Sequence, residues 1–308
     1  MIAVQRGRVN GHEAMVGRQA TAAWPPRTRP LLPVPLEHSA SPGRGQVPKR
    51  PTPAAAAELA SWPITVVGRD GDDAMMVVYR RPGNRVWLTW APQLASWDRT
   101  GAPSQLRLAQ FLAHADASTS ALLTGDGPFA VELTVGLPDG TALDTDGRDL
   151  DNYLYPLAQH LGATRFAAVF GRKTRGRSWL ATGPAVPDTK PATAPRFTAR
   201  LTGSYVRPEW KRALRDLLIR DGVTPAPAGP LALHVTIGTG PARNWANLWK
   251  PLIDSLGPLL GEHPGRPFHP HDDRIVDLSL HHHIDAALGY DVQVGLRWAP
   301  LTATTVPS

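Results

Sequence analysis

The chain contains no cysteine, so disulfides and thiolate metal sites are both excluded. No apolar run approaches the roughly 18 residues that a helical membrane span needs, and no membrane partner is expected. The N-terminal stretch has no apolar core followed by a small-residue cleavage site, so the expectation is no secretory signal and a cytoplasmic location. Charged residues make up only 19%, whereas 42% are hydrophobic, which suits a chain that buries real cores. The charge that is present is unbalanced, with a net +7. Such a balance favours a polyanionic partner such as nucleic acid. It is also what a composition rich in Arg, Ala, Gly and Pro produces without any partner.

The 308 residues leave room for two domains and a tail, at about 100–200 residues per domain. Residues 1–60 read as a disordered arm, because Pro, Arg, Ser and Ala dominate and no hydrophobic period is sustained. A first unit is expected over residues 61–187. Its strands are read at Ile64–Gly68, Met75–Tyr79, Arg85–Trp90, Phe129–Val135, Arg165–Phe170 and Ser178–Thr182, and its helices at Ser104–His114 and from about Asp151. Residues 188–196 form a Pro/Thr/Ala linker. A second unit over residues 197–300 repeats the order. Its strands are read at Phe197–Leu201, Leu231–Ile237, Ile275–His281 and Asp291–Trp298. A helix over Pro208–Arg220 buries Trp210, Ala213, Leu214, Leu217 and Leu218, and Trp245–Leu260 is mostly helical. Strands and helices alternate without a regular βαβ rhythm, so the fold class expected is α+β.

The two units say the same thing twice. Gly127-Pro128-Phe129-Ala130-Val131-Glu132-Leu133-Thr134-Val135-Gly136 reads against Gly229-Pro230-Leu231-Ala232-Leu233-His234-Val235-Thr236-Ile237-Gly238, with five of ten positions identical. Arg148 to Leu157 reads against Arg243 to Leu252, and both copies then reach Leu-Gly, at Leu161-Gly162 and Leu256-Gly257. Two domain-sized copies are a duplication and not a solenoid.

The divergence between the copies falls on charged residues. The first has Asp149-Leu150-Asp151-Asn152 at a strand-to-helix junction, where Asp also serves as a plain cap. The second has Lys250, Asp254 and the run His269-Pro270-His271-Asp272-Asp273 before a strand, where paired Asp also occurs in ordinary turns.

The order strand, Asp-x-Asp-Asn-x-x-Lys at a helix start, a helical Asp, then Asp-Asp and a strand resembles the RusA-like Holliday junction resolvases. The resemblance covers about Phe197 to Trp298 and, more weakly, Trp62 to Val186. It implies two tandem RusA-like units packed as an intrachain pseudo-dimer. By that resemblance the chain is a Mg²⁺-dependent endonuclease, with Mn²⁺ as a substitute, nicking branched DNA in recombination and repair.

Neither copy carries the family's set whole. Asp149, Asp151 and Asn152 match it, but Tyr155 stands at the lysine, Gln159 at the helical Asp and Ala163-Thr164 at the Asp pair. The second copy keeps Asn247, Lys250, Asp254, Asp272 and Asp273 but has Asn244 and Ala246 in place of the first two carboxylates.

The losses are complementary, so one composite site is expected. Asp149, Asp151, Asp272 and Asp273 would hold the metal, and Asp149, Asp151, Lys250 and Asp273 would carry catalysis. A hard divalent cation needs several carboxylate oxygens, which neither copy supplies alone. The alternative is a degenerate scaffold that binds junction DNA without cutting it, and a third reading is a structural partner protein with no nucleic acid.

Arg165, Arg172, Lys173, Arg175 and Arg177 form the densest basic run, readable as a hairpin lying along phosphates or as a solvated loop. His263, His269 and His271 beside Asp272 suggest a transition-metal site, though no helix or strand register aims their rings. Trp245 and Trp249, one helical turn apart, read as core or contacts between units in preference to base-stacking platforms.

Overall fold

The computed structural model describes Val66–Val67 and residues 76–301, apart from positions 97, 146 and 190–194. The arm expected over residues 1–60 lies outside the described residues, as does most of the expected linker. In chain order the elements are β1 (Val66–Val67), β2 (Arg85–Trp87), α1 (Pro103–Thr119), β3 (Phe129–Leu137), α2 (Leu150–Leu161), β4 (Phe166–Arg175), β5 (Trp179–Pro184) and β6 (Phe197–Leu201). There follow α3 (Pro208–Arg220), β7 (Leu231–Thr239), α4 (Trp249–Asp254), α5 (Gly257–Leu260), β8 (Ile275–Ile284) and β9 (Val292–Pro300). The class is mixed α+β, with every strand among the described residues in a single sheet of order β1-β6-β9-β7-β8-β4-β3-β5-β2.

The duplication in sequence is a duplication in pairing. β3 runs parallel to β4 and antiparallel to β5, and β5 pairs antiparallel with β2. In the second half β7 runs parallel to β8 and antiparallel to β9, and β9 pairs antiparallel with β6. Even the irregularity repeats, because the register slips between Phe129 and Ala130 and again between Leu231 and Ala232. Both slips follow a Gly-Pro, whose proline has no N–H to give the ladder. The halves join through an antiparallel seam between β4 and β8, centred on Phe170 opposite Ser279. Apolar side chains of both halves form one continuous core.

Helices cover one face of the sheet. Val131, Leu133 and Val135 alternate toward them, as the period of a strand dictates. Gly171 lets α2 settle on β4: a Cβ there would lie 2.8 Å from Leu154 Cδ1. α3 starts on Pro208, whose fixed backbone suits a first helical position, and buries Trp210, Leu214, Leu217 and Leu218. The segment expected to be mostly helix, Trp245–Leu260, is a 3₁₀ turn followed by two short helices, α4 and α5.

The opposite face carries Glu132, Phe170, Arg172, Asp277, Ser279 and His281, and residues 76–81 cross it. Met76 touches Thr236 and lies under Gly295, the Tyr79 N–H donates to His281 Nδ1 at 3.2 Å, and Arg81 reaches both Glu132 and Asp277. This overturns the reading of Met75–Tyr79 as a ladder strand. Of its described residues only Tyr79 bridges, to Pro187. The apolar run reflects contact with the sheet face beneath it.

Arg81 thus bonds a carboxylate of each half, and its guanidinium lies over the Phe170 ring at 4.9 Å. The strap has a topological reason. β1 and β2 sit at opposite edges of the sheet, about 38 Å apart at about 4.8 Å per strand.

Candidate functional site

Asp149 flanks the N-terminus of α2 and Asp151 occupies its first turn, where the helix dipole favours negative charge. The Asp149 carboxylate does not cap the helix. It accepts from Asn152 Nδ2 at 2.9 Å. Asp151 is 3% exposed. Asp272 opens the short 3₁₀ turn Asp272–Arg274 that feeds β8. The fold brings these elements to one place: carboxylate oxygens of Asp149, Asp151 and Asp272 all lie within 4.8 Å of one another.

Lys250, at the start of α4, closes the group. Its Nζ stands 3.6 Å from Asp151, 3.3 Å from Asp272 and 3.1 Å from Asp254. Asp254 is further held by Lys211 of α3 at 2.7 Å.

The charges perturb one another strongly. Burial pushes the Asp149 carboxyl up to about 7, with Asp272 and Asp151 adding to it, Lys250 opposing and Asp273 adding. Asp151 rises to about 6 through burial, against the pull of Lys250. Burial works against the charge of Lys250, but Asp151, Asp254 and Asp272 outweigh it and hold its pKa above the ordinary lysine value. Carboxylates kept partly protonated near neutrality mark a site short of positive charge. Three hard oxygen donors without histidine or thiolate suit Mg²⁺ or Mn²⁺ better than zinc or copper.

Asp273 is not one of this trio but is near enough to raise the Asp149 pKa, and its backbone carbonyl accepts from Lys173 Nζ at 2.5 Å. Lys173 is fully buried, and burial lowers its pKa to about 8 although Asp149, Asp273, Asp144 and Asp272 raise it.

The other members of the basic run are dispersed. Arg165 donates to the Leu123 and Gly125 carbonyls and stacks on Phe129. Its counterpart Arg274 donates to the carbonyls of Gly229, Leu260, Ala226 and Pro227, so both arginines brace the turn before a strand. Arg172 points to the opposite face and pairs with Asp277 at 2.9 Å. Arg175 donates to the Pro138 and Thr141 carbonyls. Arg177 lies over the half-exposed Trp87 ring at 5.0 Å. The run does not form one phosphate-tracking surface, because alternation along β4 sends its members to different faces.

The counterpart positions also converge, but without acids. Asn244 caps its own turn by accepting from the Ala246 N–H at 3.1 Å, and Ala246 is fully buried. Tyr155, at the lysine position, donates to Asn247 Oδ1 at 3.1 Å, and the Trp245 indole donates to the Ala163 carbonyl at 3.1 Å. Trp245 stacks flat on His282 with centroids 4.9 Å apart. Burial, with His283, lowers His282 to about 4, so it serves as an uncharged packing ring. The two tryptophans are buried contacts between the halves.

His263 and His271 meet edge to face at 4.2 Å, but they join no group of three metal-ligating side chains among the described residues. Asp254, named above as the helical Asp of the resemblance, and Lys173, named above in the basic run, are the participants to which sequence reasoning gave no part in the composite site. Asp254 had a signal, four residues after Lys250.

No family model matches this chain, and neither a curated protein nor a solved structure is similar to it.

Proposed function

We propose that this chain is a divalent-metal-dependent endonuclease of branched DNA, built as two fused RusA-like units that share one composite site. The observation that carries the reading is the meeting of Asp149 and Asp151 from the first half with Asp272 and Lys250 from the second. The repeated strand order and the β4–β8 seam support an intrachain pseudo-dimer, since they relate two copies of one unit about a central antiparallel pair.

In this reading Asp149, Asp151 and Asp272 hold Mg²⁺ or Mn²⁺. The bound ion supplies Lewis acidity toward a phosphodiester and a water of lowered pKa. The chain's residues do the rest. The α2 N-terminus and Asn152 orient the first carboxylates, and burial keeps Asp151 out of bulk water. Lys250, with 46% of its side chain exposed, offers an ammonium to a phosphate oxygen while staying tied to the carboxylates. The aromatic counterpart around Tyr155 and Trp245 offers no acids, so the chain has one working centre.

The test is cleavage of a labelled four-way DNA junction with Mg²⁺ or Mn²⁺, with binding read at two salt concentrations. Metal-dependent nicks abolished by Asp151→Asn support the endonuclease. A salt-sensitive shift without nicks assigns the scaffold to binding alone. The absence of both nicks and a shift would refute a role on junction DNA.

A further inference from the structure

We propose that Lys173 is a positioning residue for the composite site, tying the Asp272–Asp273 turn of the second half to the strand that runs beneath Asp149 and Asp151. This inference rests on the metal reading above. Lys173 belongs to β4, in the first half, and is completely buried. Its one described hydrogen bond goes to the Asp273 carbonyl, in the second half. A lysine buried this deeply is rare unless its charge is answered. Here the surrounding charges are Asp149, Asp273, Asp144 and Asp272.

The carbonyl it grips belongs to the residue next to Asp272, so the tether acts on a ligand supplied from across the seam. The other described hydrogen bonds of that turn stay within its own half. Arg274 holds that turn to the carbonyls of Gly229, Leu260, Ala226 and Pro227, all in the second half. The position corresponding to Lys173 in the repeat is His282, which stacks on Trp245 and bonds Thr239 at 2.9 Å. The centre without acids uses that position for packing, and the centre with acids uses it for a cation.

Charge and position make opposite predictions for a neutral substitute. Removing a positive charge beside a cation site strengthens metal binding if only electrostatics matters. Removing a tether weakens it, since partners that orient metal ligands are worth about 10–100-fold in affinity.

The experiment is Mn²⁺ titration of the full chain by electron paramagnetic resonance, with circular dichroism and the urea midpoint measured alongside. Lys173→Met is expected to raise the Mn²⁺ Kd at least about tenfold with the fold intact. Lys173→Gln, which keeps a donor but no charge, is expected to restore most of the affinity. An Mn²⁺ Kd in the Met variant equal to or below that of wild type overturns the proposal. If the Met variant does not fold, the Gln variant decides: near-wild-type affinity supports the tether, and a full loss overturns it. Failure of the wild-type chain to bind Mn²⁺ sinks the metal reading itself, a result distinct from either variant's.

Discussion

Lys250 and Asp151 stand 3.6 Å apart although 99 positions separate them and they belong to opposite halves of the duplication. Asp151 is nearly inaccessible, whereas the Lys250 side chain is half exposed. The pair therefore joins a buried anion of one half to a solvent-reaching cation of the other.

The carboxylates should rank by their place in this cluster. Asp151→Asn and Asp272→Asn are expected to lower junction cleavage by at least about a hundredfold while leaving junction binding intact or tighter. Asp273→Asn should cost less, because the structure uses the backbone carbonyl of Asp273 and its carboxylate lies outside the trio. Single-turnover cleavage rates, with binding measured in Ca²⁺, check the ranking.

Stability without divalent ions should fall as pH rises through the acid range. The Asp149 and Asp151 pKa values are raised in the folded chain to about 7 and about 6, from 3.8. Between about pH 4 and 7 the folded state therefore holds more protons than the unfolded state, and the stability slope is negative. In EDTA the urea midpoint attributable to these groups should be higher at pH 5 than at pH 7.5. Asp149→Asn should flatten that slope and raise stability at pH 7.5. Saturating Mn²⁺ should reverse the order by stabilising the ionised cluster.

Lys173 acts in the opposite sense at higher pH. Its pKa is lowered to about 8 from 10.5, so between those values the unfolded chain holds the extra proton and stability gains with pH. Lys173→Met should remove that gain, which urea titrations at pH 8 and pH 10 in EDTA would register.

Arg81 bridges Glu132 and Asp277, two buried carboxylates of different halves. Arg81→Met should destabilise the chain by about 3–5 kcal/mol, because it leaves the buried Glu132 carboxylate without its described partner and Asp277 with Arg172 alone. The triple variant Arg81→Met, Glu132→Gln, Asp277→Asn should recover part of that loss, and equilibrium urea unfolding measures both.

A chain broken between Asp188 and Arg196 should reassemble. The sheet is continuous across β4–β8, and Val66–Val67 pairs with Leu201 and Arg200 of β6. Co-expressed halves are expected to co-purify at one-to-one stoichiometry in high salt, and two separately eluting halves would contradict the seam.

Much of the fold was legible because its signals are local. Pro208 and the spacing of Trp210, Leu214, Leu217 and Leu218 marked α3, and the Gly-Pro entries marked β3 and β7. The convergence of Asp149, Asp151, Asp272 and Lys250 was legible for a different reason, since each copy lacks what the other keeps. The role of Lys173 was hidden. In Arg172-Lys173-Thr174-Arg175 successive side chains face opposite ways, and nothing local says which face meets carboxylates. The strap was hidden as well, because a short apolar run looks alike whether it joins a ladder or lies across one.

The β4–β8 seam has a consequence for how strands are counted. On the endonuclease reading proposed above, two identical subunits would bring two centres to opposite arms of a junction, whereas this chain would bring a single centre. One encounter would then sever one strand, and the early product would be a singly nicked junction. Completion requires either release and return in the other orientation or the arrival of a second molecule. The lag between first and second cuts, followed as protein concentration is raised, reads out which of these the chain uses.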